Sequence, residues 1–335
     1  MKAVQLEKYN SKNPIIKLRD VQPKSLLAND VLVKVTFAGV NPLDNLISHG
    51  DLRLVVPYKL PQIMGYEFVG IIEQVGTNVS HFKIGDRVFG RNPIDNIGSF
   101  AQQVVVNQSA IAKVPNYLSN QEAAAIPLTA LTAMQALDKL GAQSGQTLFI
   151  SGGTGSFGAM AIPLAVARGL KVITSGSSSK REYVEKLGVT KFIDYKKEDY
   201  TKVISNVDLV IDTVGESEIF KELSILKEGG KIVSLRAMPN AAFAKSMGMG
   251  IFKQMLFAVA AHKIEKVAKK KKQTYNFIFV EANGSQLAQA SKILDKSNIH
   301  PALGEIYPLS KANDALNAVA RGKNRGKILI NTQKI

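Results

Sequence analysis

The stretch Ser151–Gly158, SGGTGSFG, follows the apolar run TLFI (Thr147–Ile150) and precedes the helix-spaced FGAMAIPLAVARG. Its glycines at 153, 155 and 158 have GxGxxG spacing. Alone, that spacing is weak evidence. Between a strand and a helix it answers a specific demand: a tight turn, close backbone approach to a pyrophosphate, and close packing of helix on strand. The N–H groups at such a helix start face the phosphates. Gly153, Gly155, Ser156, Phe157 and Gly158 are therefore the candidate pyrophosphate-binding residues. The competing reading is a flexible turn.

Outward from this loop the pattern keeps alternating. KVITSG reads as a strand, KREYVEKLG as a helix, KFIDY and VDLVIDTVG as strands, SEIFKELSILKEGG as a helix and KIVSL as a strand. Such alternation predicts a parallel, doubly wound sheet covered by helices on both faces. The first 120 residues differ. DVLVKVTFAGV, YEFVGIIEQVG, GDRVFG and FAQQVVV are short β-branched runs punctuated by Gly, Asn and Pro, as in a mainly antiparallel β domain. From Asn120, NQEAAAIPLTALTAMQALDKLG has helical spacing.

The strand after the glycine loop ends in TSGSSSKREY, with no acidic residue before Glu182. A site for NAD would place Asp or Glu there to hold the ribose hydroxyls. Ser177 as a donor, with Lys180 and Arg181 as cations, instead fits the 2′-phosphate of NADP; the alternative is that both cations are solvated.

Bulk properties narrow the class. The 335 residues are 45% hydrophobic and 21% charged, and suit two folded domains. No cysteine is present, which excludes disulfides and thiolate ligands and points to a reducing cytoplasm. The net charge of +16 comes with no nucleic-acid motif, so nucleic acid is not expected as a partner. No signal-like or bilayer-length apolar run occurs.

AGVNPLD (38–44), GYEFVGIIEQVGTNVSHFKIGDRVFG (65–90), AAAIPLTALTAMQAL (123–137), the glycine loop and GKILI (326–330) together resemble the medium-chain dehydrogenase/reductase superfamily. The form of AGVNPLD and of YNFIFVEANGSQL (275–287) is similar to the zinc-independent quinone oxidoreductases and alkenal/enone oxidoreductases. The resemblance implies an α/β chain: a Rossmann domain over 123–272 inside a mainly β, GroES-like catalytic domain made of 1–122 and 273–335. It also implies cofactor contacts from Thr129, Tyr195, the loop Thr213, Val214 and Gly215, and Leu235 within the loop 234–236. An ordinary helix cap is the alternative for Thr129.

Zinc members of that superfamily carry Cys where this chain has Asn41 and His where it has Tyr66, so no metal is expected. Without a Lewis acid, the implied substrates are already electrophilic, a quinone or an α,β-unsaturated carbonyl, and hydrogen-bond donors meet the smaller charge demand. Tyr66 and Asn41 are the candidate donors, and Asp44 the group that orients the loop or exchanges protons. Packing for Tyr66, turn capping for Asn41 and a structural role for Asp44 remain as alternatives. The expected activity is NADPH-dependent reduction of a quinone or enone; the alternative is a non-catalytic NADPH-binding protein. A homodimer through the sheet edge near KIVSL is also implied.

The segment 247–273, MGMGIFKQMLFAVAAHKIEKVAKKKKQ, combines an apolar helical pattern with a lysine run. Met255, Leu256, Val259, Ile264 and Val267 are expected to share one broad face. That face reads as a lid over the substrate or dimer partner, or as a weak peripheral contact with anionic membrane.

Overall fold

The computed structural model describes residues 1–322 and 326–335. The chain forms two compact units, one from residues 1–131 and 281–335, the other from 132–280.

The first unit is mainly β. Its strands are β1 (Lys2–Lys8), β2 (Ile15–Asp20), β3 (Asp30–Gly39), β4 (Gln62–Ile63), β5 (Glu67–Val75), β6 (Arg87–Arg91), β7 (Gln103–Asn107) and β8 (Ile111–Lys113), with α1 (Pro42–His49) between β3 and β4. Helix α2 (Asn120–Ala124) follows, and then α3 (Pro127–Leu140) leads into the second unit. The single helical run expected from Asn120 is thus two helices, divided just before Pro127, which fills the first position of α3 and lacks an N–H to continue α2.

The second unit holds β9 (Thr147–Ile150), α4 (Ser156–Ala167), β10 (Lys171–Gly176), α5 (Arg181–Lys186) and β11 (Lys191–Asp194). It continues with α6 (Tyr200–Val203), β12 (Val207–Asp212), α7 (Ile219–Ile225), β13 (Leu226–Ser234), α8 (Ala241–Ser246), α9 (Ile251–Lys270) and β14 (Thr274–Phe277). The chain then returns to the first unit with α10 (Gly284–Lys296), β15 (Leu303–Pro308), α11 (Ala312–Arg321) and β16 (Lys327–Asn331).

The second unit's strands are ordered β11-β10-β9-β12-β13-β14, and every pairing is parallel. This is the Rossmann order, with its switch point between β9 and β12, where ligands bind at the carboxyl ends of strands. In the first unit, β15-β16-β3-β5-β6-β8 form a sheet with β7 also on β3, antiparallel except for β15 and β16. The GroES-like unit and the Rossmann unit are both present.

Three sequence expectations shift. The sequence pattern predicts a helix through LKEGG, but β13 begins at Leu226 and carries Gly229 at φ +73° beside a register shift against β12. The resemblance places residues 274–277 in the catalytic segment, but β14 pairs in parallel with β13 and so belongs to the Rossmann sheet. KIVSL consequently lies in an interior strand, and the edge is β14.

The expected single face of α9 also divides. Ile264 is buried with Phe257, Ala261 and Ala268, whereas Met255, Leu256 and Val259 are exposed. The helix therefore carries apolar side chains on two separate arcs.

Candidate functional site

In the Rossmann unit the glycines divide their work. A side chain at Gly153 would overlap Thr174, and one at Gly158 would overlap the Gly153 carbonyl, so both are required for helix and strand to pack. Gly152 adopts φ +63°, the left-handed turn that glycine allows cheaply. At Gly155 the added carbon would meet only the Gly152 carbonyl oxygen, at 3.8 Å. The loop is open there. Gly155 is also the N-cap of α4 and gives no side-chain acceptor, so the first-turn N–H groups over Ser156, Phe157 and Gly158 lack a capping partner. Open space at Gly155 beside a helix start with no side-chain cap fits the pyrophosphate of a dinucleotide.

At the end of β10, Lys180 Nζ donates to the Thr154 carbonyl at 3.3 Å, which lays its charge beside the glycine loop. Ser177 Oγ is 3.3 Å from Ser179 Oγ, and Tyr195 is 59% exposed and so free to meet a ligand. Arg181 has other business: it stacks on Phe192 at 4.7 Å and pairs with Glu185 at 3.5 Å. Of the two adjacent cations, only Lys180 reaches the loop. Glu182 pairs with Lys186 on the exposed face of α5.

The loops after β12 and β13 are fixed by a residue the sequence reading passed over. Asp212 is buried, and its Oδ1 accepts from the N–H groups of Val214 and Gly215, each at 2.8 Å. Its Oδ2 accepts from Ser234 Oγ, which itself accepts from the N–H groups of Arg236 and Ala237. Thr213 is tied to Ser151 through both its N–H and its hydroxyl, and Leu235 N–H donates to the Asp212 carbonyl. Asp212, through its carboxylate and its carbonyl, thus sets Val214, Gly215 and Leu235 together at the carboxyl ends of adjacent strands, with Thr213 held by Ser151.

In the GroES-like unit, the three candidate catalytic residues do meet, but as a buried polar cluster. Asn41 Nδ2 donates to Glu67 Oε1 at 2.8 Å and to the Gly39 carbonyl at 3.4 Å, while Asn41 Oδ1 accepts from Lys327 Nζ at 2.5 Å. Both amide protons are committed, which assigns Asn41 to scaffold and not to the donor role expected of it. Glu67 and Lys327 form a buried ion pair. Glu67 Oε2 also accepts from Leu128 N–H at 2.8 Å, capping the start of α3. Gly39 has no side chain because Glu67 occupies that space.

Asp44 Oδ2 accepts from Asn41 N–H at 2.8 Å, closing the first turn of α1, and Oδ1 is buried without a partner. Burial lifts its carboxyl from 3.8 to about 7, against the opposing pull of the Asn41 N–H and of Lys327. The folded protein therefore holds this proton more tightly than the unfolded chain. Stability falls as pH rises from about 4 through 7, and the full penalty stands above that range. Asp44→Asn should remove this dependence. The wild-type minus variant difference in unfolding free energy should fall by about 2–3 kcal/mol between pH 5 and pH 8 in urea titrations. A difference independent of pH would contradict the assignment.

Tyr66 is fully buried, with Arg91 5.0 Å above its ring. Tyr58, missed by the sequence reading, sits 2.6 Å from it, hydroxyl to hydroxyl, and donates to the Ile94 carbonyl at 2.6 Å. Since Tyr58 has one proton, Tyr66 must donate to Tyr58. Burial first, and then Tyr58, push the Tyr66 phenol well above its ordinary range, while burial pushes Tyr58 up to about 12. Tyr58 is only partly buried and is the outer member of the pair. Thr129 is not a cap: its hydroxyl donates to the carbonyls of Ala125 and Ile126.

Residues 27–116 match the alcohol dehydrogenase GroES-like domain, and residues 187–330 match a family described as zinc-binding dehydrogenase. Among the described residues, no group of three or more His, Asp or Glu side chains is placed to hold a metal ion. The chain is 29% identical to the 2-methylene-furan-3-one reductase of Solanum lycopersicum, over 98% of this chain and 79% of that protein. It is 29% identical to the mitochondrial NAD(P)H oxidoreductase RTN4IP1 of Homo sapiens, over 99% of this chain and 89% of that one. The solved quinone oxidoreductase from Coxiella burnetii superposes with a TM-score of 0.82 at 28% identity, covering 99% of each chain. Matched domains at both units, relatives aligned over nearly the whole of this chain and a shared fold place one conclusion on the sequence: the chain belongs to the medium-chain dehydrogenase/reductase superfamily of oxidoreductases.

Proposed function

We propose that the protein is an NADPH-dependent reductase of quinones or α,β-unsaturated carbonyls. The observation that carries this reading is Lys180, laid against an open glycine loop at a strand end that has no carboxylate. The reductases and quinone oxidoreductases among the relatives support the substrate class. When bound, NADPH supplies a hydride, two electrons and one hydrogen, and the substrate completes its reduction by taking one proton.

The chain's residues bind and orient in this reading. The α4 N–H groups and Gly155 hold the pyrophosphate, Lys180, Ser177 and Tyr195 hold the 2′-phosphate, and Asp212 together with Ser151 keeps Thr213, Val214, Gly215 and Leu235 in place for the nicotinamide. Thr129 contributes from the start of α3. On substrate binding the Tyr58 hydroxyl turns its one proton from the Ile94 carbonyl to the developing oxyanion, with Tyr66 behind it. Tyr66 keeps its own proton at neutral pH and donates it as a hydrogen bond along the 2.6 Å contact, which orients the Tyr58 oxygen. Asn41 and Asp44 hold the frame. The cysteine-free chain suits the cytoplasm, and β14, the last strand of the sheet, suits a homodimer.

A panel of quinones, alkenals and cyclic enones, scored by kcat/KM with NADPH, tests the proposal. Turnover with at least one class is expected, falling in Tyr58→Phe without loss of NADPH affinity. Tight NADPH binding with no turnover across the panel would favour a non-catalytic binding protein. Cofactor choice has its own check. Lys180→Ala should weaken NADPH binding about 10- to 100-fold, one charge-assisted contact, and leave NADH nearly unchanged by calorimetry. Equal losses for both cofactors would contradict the role given to Lys180.

A further inference from the structure

The exposed arc of α9 is divided along its length. Over the first half it carries Ile251, Phe252, Met255, Leu256 and Val259, with Ile251, Phe252 and Val259 more than 70% exposed. Over the second half the same arc carries His262, Lys263, Lys266, Lys269 and Lys270, all exposed, with Lys271 and Lys272 just beyond. The spacing 251, 252, 255, 256, 259, 262, 263, 266, 270 is that of one helix face. The opposite arc, Phe257, Ala261, Ile264 and Ala268, already supplies the core contacts. Apart from Lys263, whose ammonium lies 5.2 Å over the Phe220 ring, the outer arc is therefore surplus to folding.

Charge decides what it meets. No acidic residue lies on the arc, and Glu265, on the flank, accepts from Asn240. Lys272 pairs with Glu228, while Lys266, Lys269 and Lys270 have no ion-pair partner among the described residues. A helix C-terminus favours a cation in its last turn, but that does not account for five large apolar side chains left in water on the same stripe. A second copy packing α9 on α9 about a two-fold axis would run parallel, setting the lysine halves against each other, or antiparallel. The antiparallel pair would either set each apolar half on the partner's lysines or overlap over nine residues, about 13 Å, and the apolar contact of the parallel pair is no longer than that, too short for a stable dimer. No helix among the described residues is long and apolar enough to cross a membrane.

We infer that the outer arc of α9 docks on an anionic phospholipid surface: residues 251–259 enter the interfacial region and Lys263, Lys266, Lys269 and Lys270 engage the headgroups. An apolar stripe with a cationic continuation matches a bilayer interface, whose acyl boundary and charged headgroups lie at adjacent depths.

Vesicle co-sedimentation of the full chain tests this, using phosphatidylglycerol/phosphatidylcholine vesicles against pure phosphatidylcholine. Binding to the anionic vesicles alone is expected, abolished in 0.5 M NaCl. Lys266→Gln, Lys269→Gln and Lys270→Gln together should weaken it about 100-fold. Phe252→Ser with Val259→Ser, both at exposed positions, should weaken it at least tenfold with the melting temperature unchanged. No binding to anionic vesicles at low salt overturns the proposal. So does binding that ignores the apolar pair, which would mark a general polyanion site. A fall in mass by light scattering when Phe252 and Val259 are replaced would show that a second copy covers the arc, and overturns it as well.

Discussion

Lys327→Met is expected to cost about 3–5 kcal/mol of stability, because it removes one partner of a buried ion pair and leaves the other charge in place. Glu67 is inside the core and Lys327 is 5% exposed, so water cannot take over the lost contact. Asn41 Nδ2 and Leu128 N–H would still face Glu67, but neither carries charge, and Asn41 Oδ1 would lose its donor. The variant should unfold at markedly lower urea. Glu67→Gln combined with Lys327→Met should cost clearly less than the sum of the two single losses, since the double variant strands no charge. A loss below about 1 kcal/mol for Lys327→Met would show that the cluster does not tie β16, α1 and α3 together.

Gly158→Ala should lower NADPH affinity on the order of 1000-fold, the loss of about two charge-assisted N–H contacts as the loop is displaced. The added carbon would overlap the backbone of Gly153, which has no flexible end to move aside. Gly155→Ala is the informative contrast, because its carbon enters the open space reserved for the ligand and should leave folding intact. Calorimetric titration with NADPH, paired with melting curves, separates the two effects. Wild-type affinity in Gly158→Ala would contradict the pyrophosphate assignment.

The Rossmann unit was legible because its requirements act on neighbours in sequence. A turn that admits only glycine, an apolar strand before it and a helix after it leave their mark within about a dozen residues, and Gly153, Gly155 and Gly158 stand where that mark predicts. The absence of an acid before Glu182 was legible for the same reason. The catalytic cluster was not. Asn41 and Lys327 are 286 residues apart, and nothing in either neighbourhood announces the other. Glu67 stood in plain view within GYE, yet its role depends on Leu128 and Lys327, which only the fold delivers. Tyr58 lies in a stretch with no periodic signal, and its importance comes from a hydroxyl contact across a turn. For α9, periodicity announced apolar residues but could not say which arc faced inward, since the helix has one on each side. The strand at Leu226 was hidden by the paired glycines Gly229 and Gly230, which read as a stop and are in fact an irregularity within a longer strand.

The most direct test of the reductase reading is single-turnover oxidation of NADPH deuterated at C4, with the best quinone or enone from the panel. A primary isotope effect on NADPH consumption is expected, with deuterium retained on carbon when the substrate is an enone. An enzyme that binds NADPH tightly yet consumes it with neither class, or with no isotope effect and no deuterium in the product, would contradict hydride transfer as what this chain does.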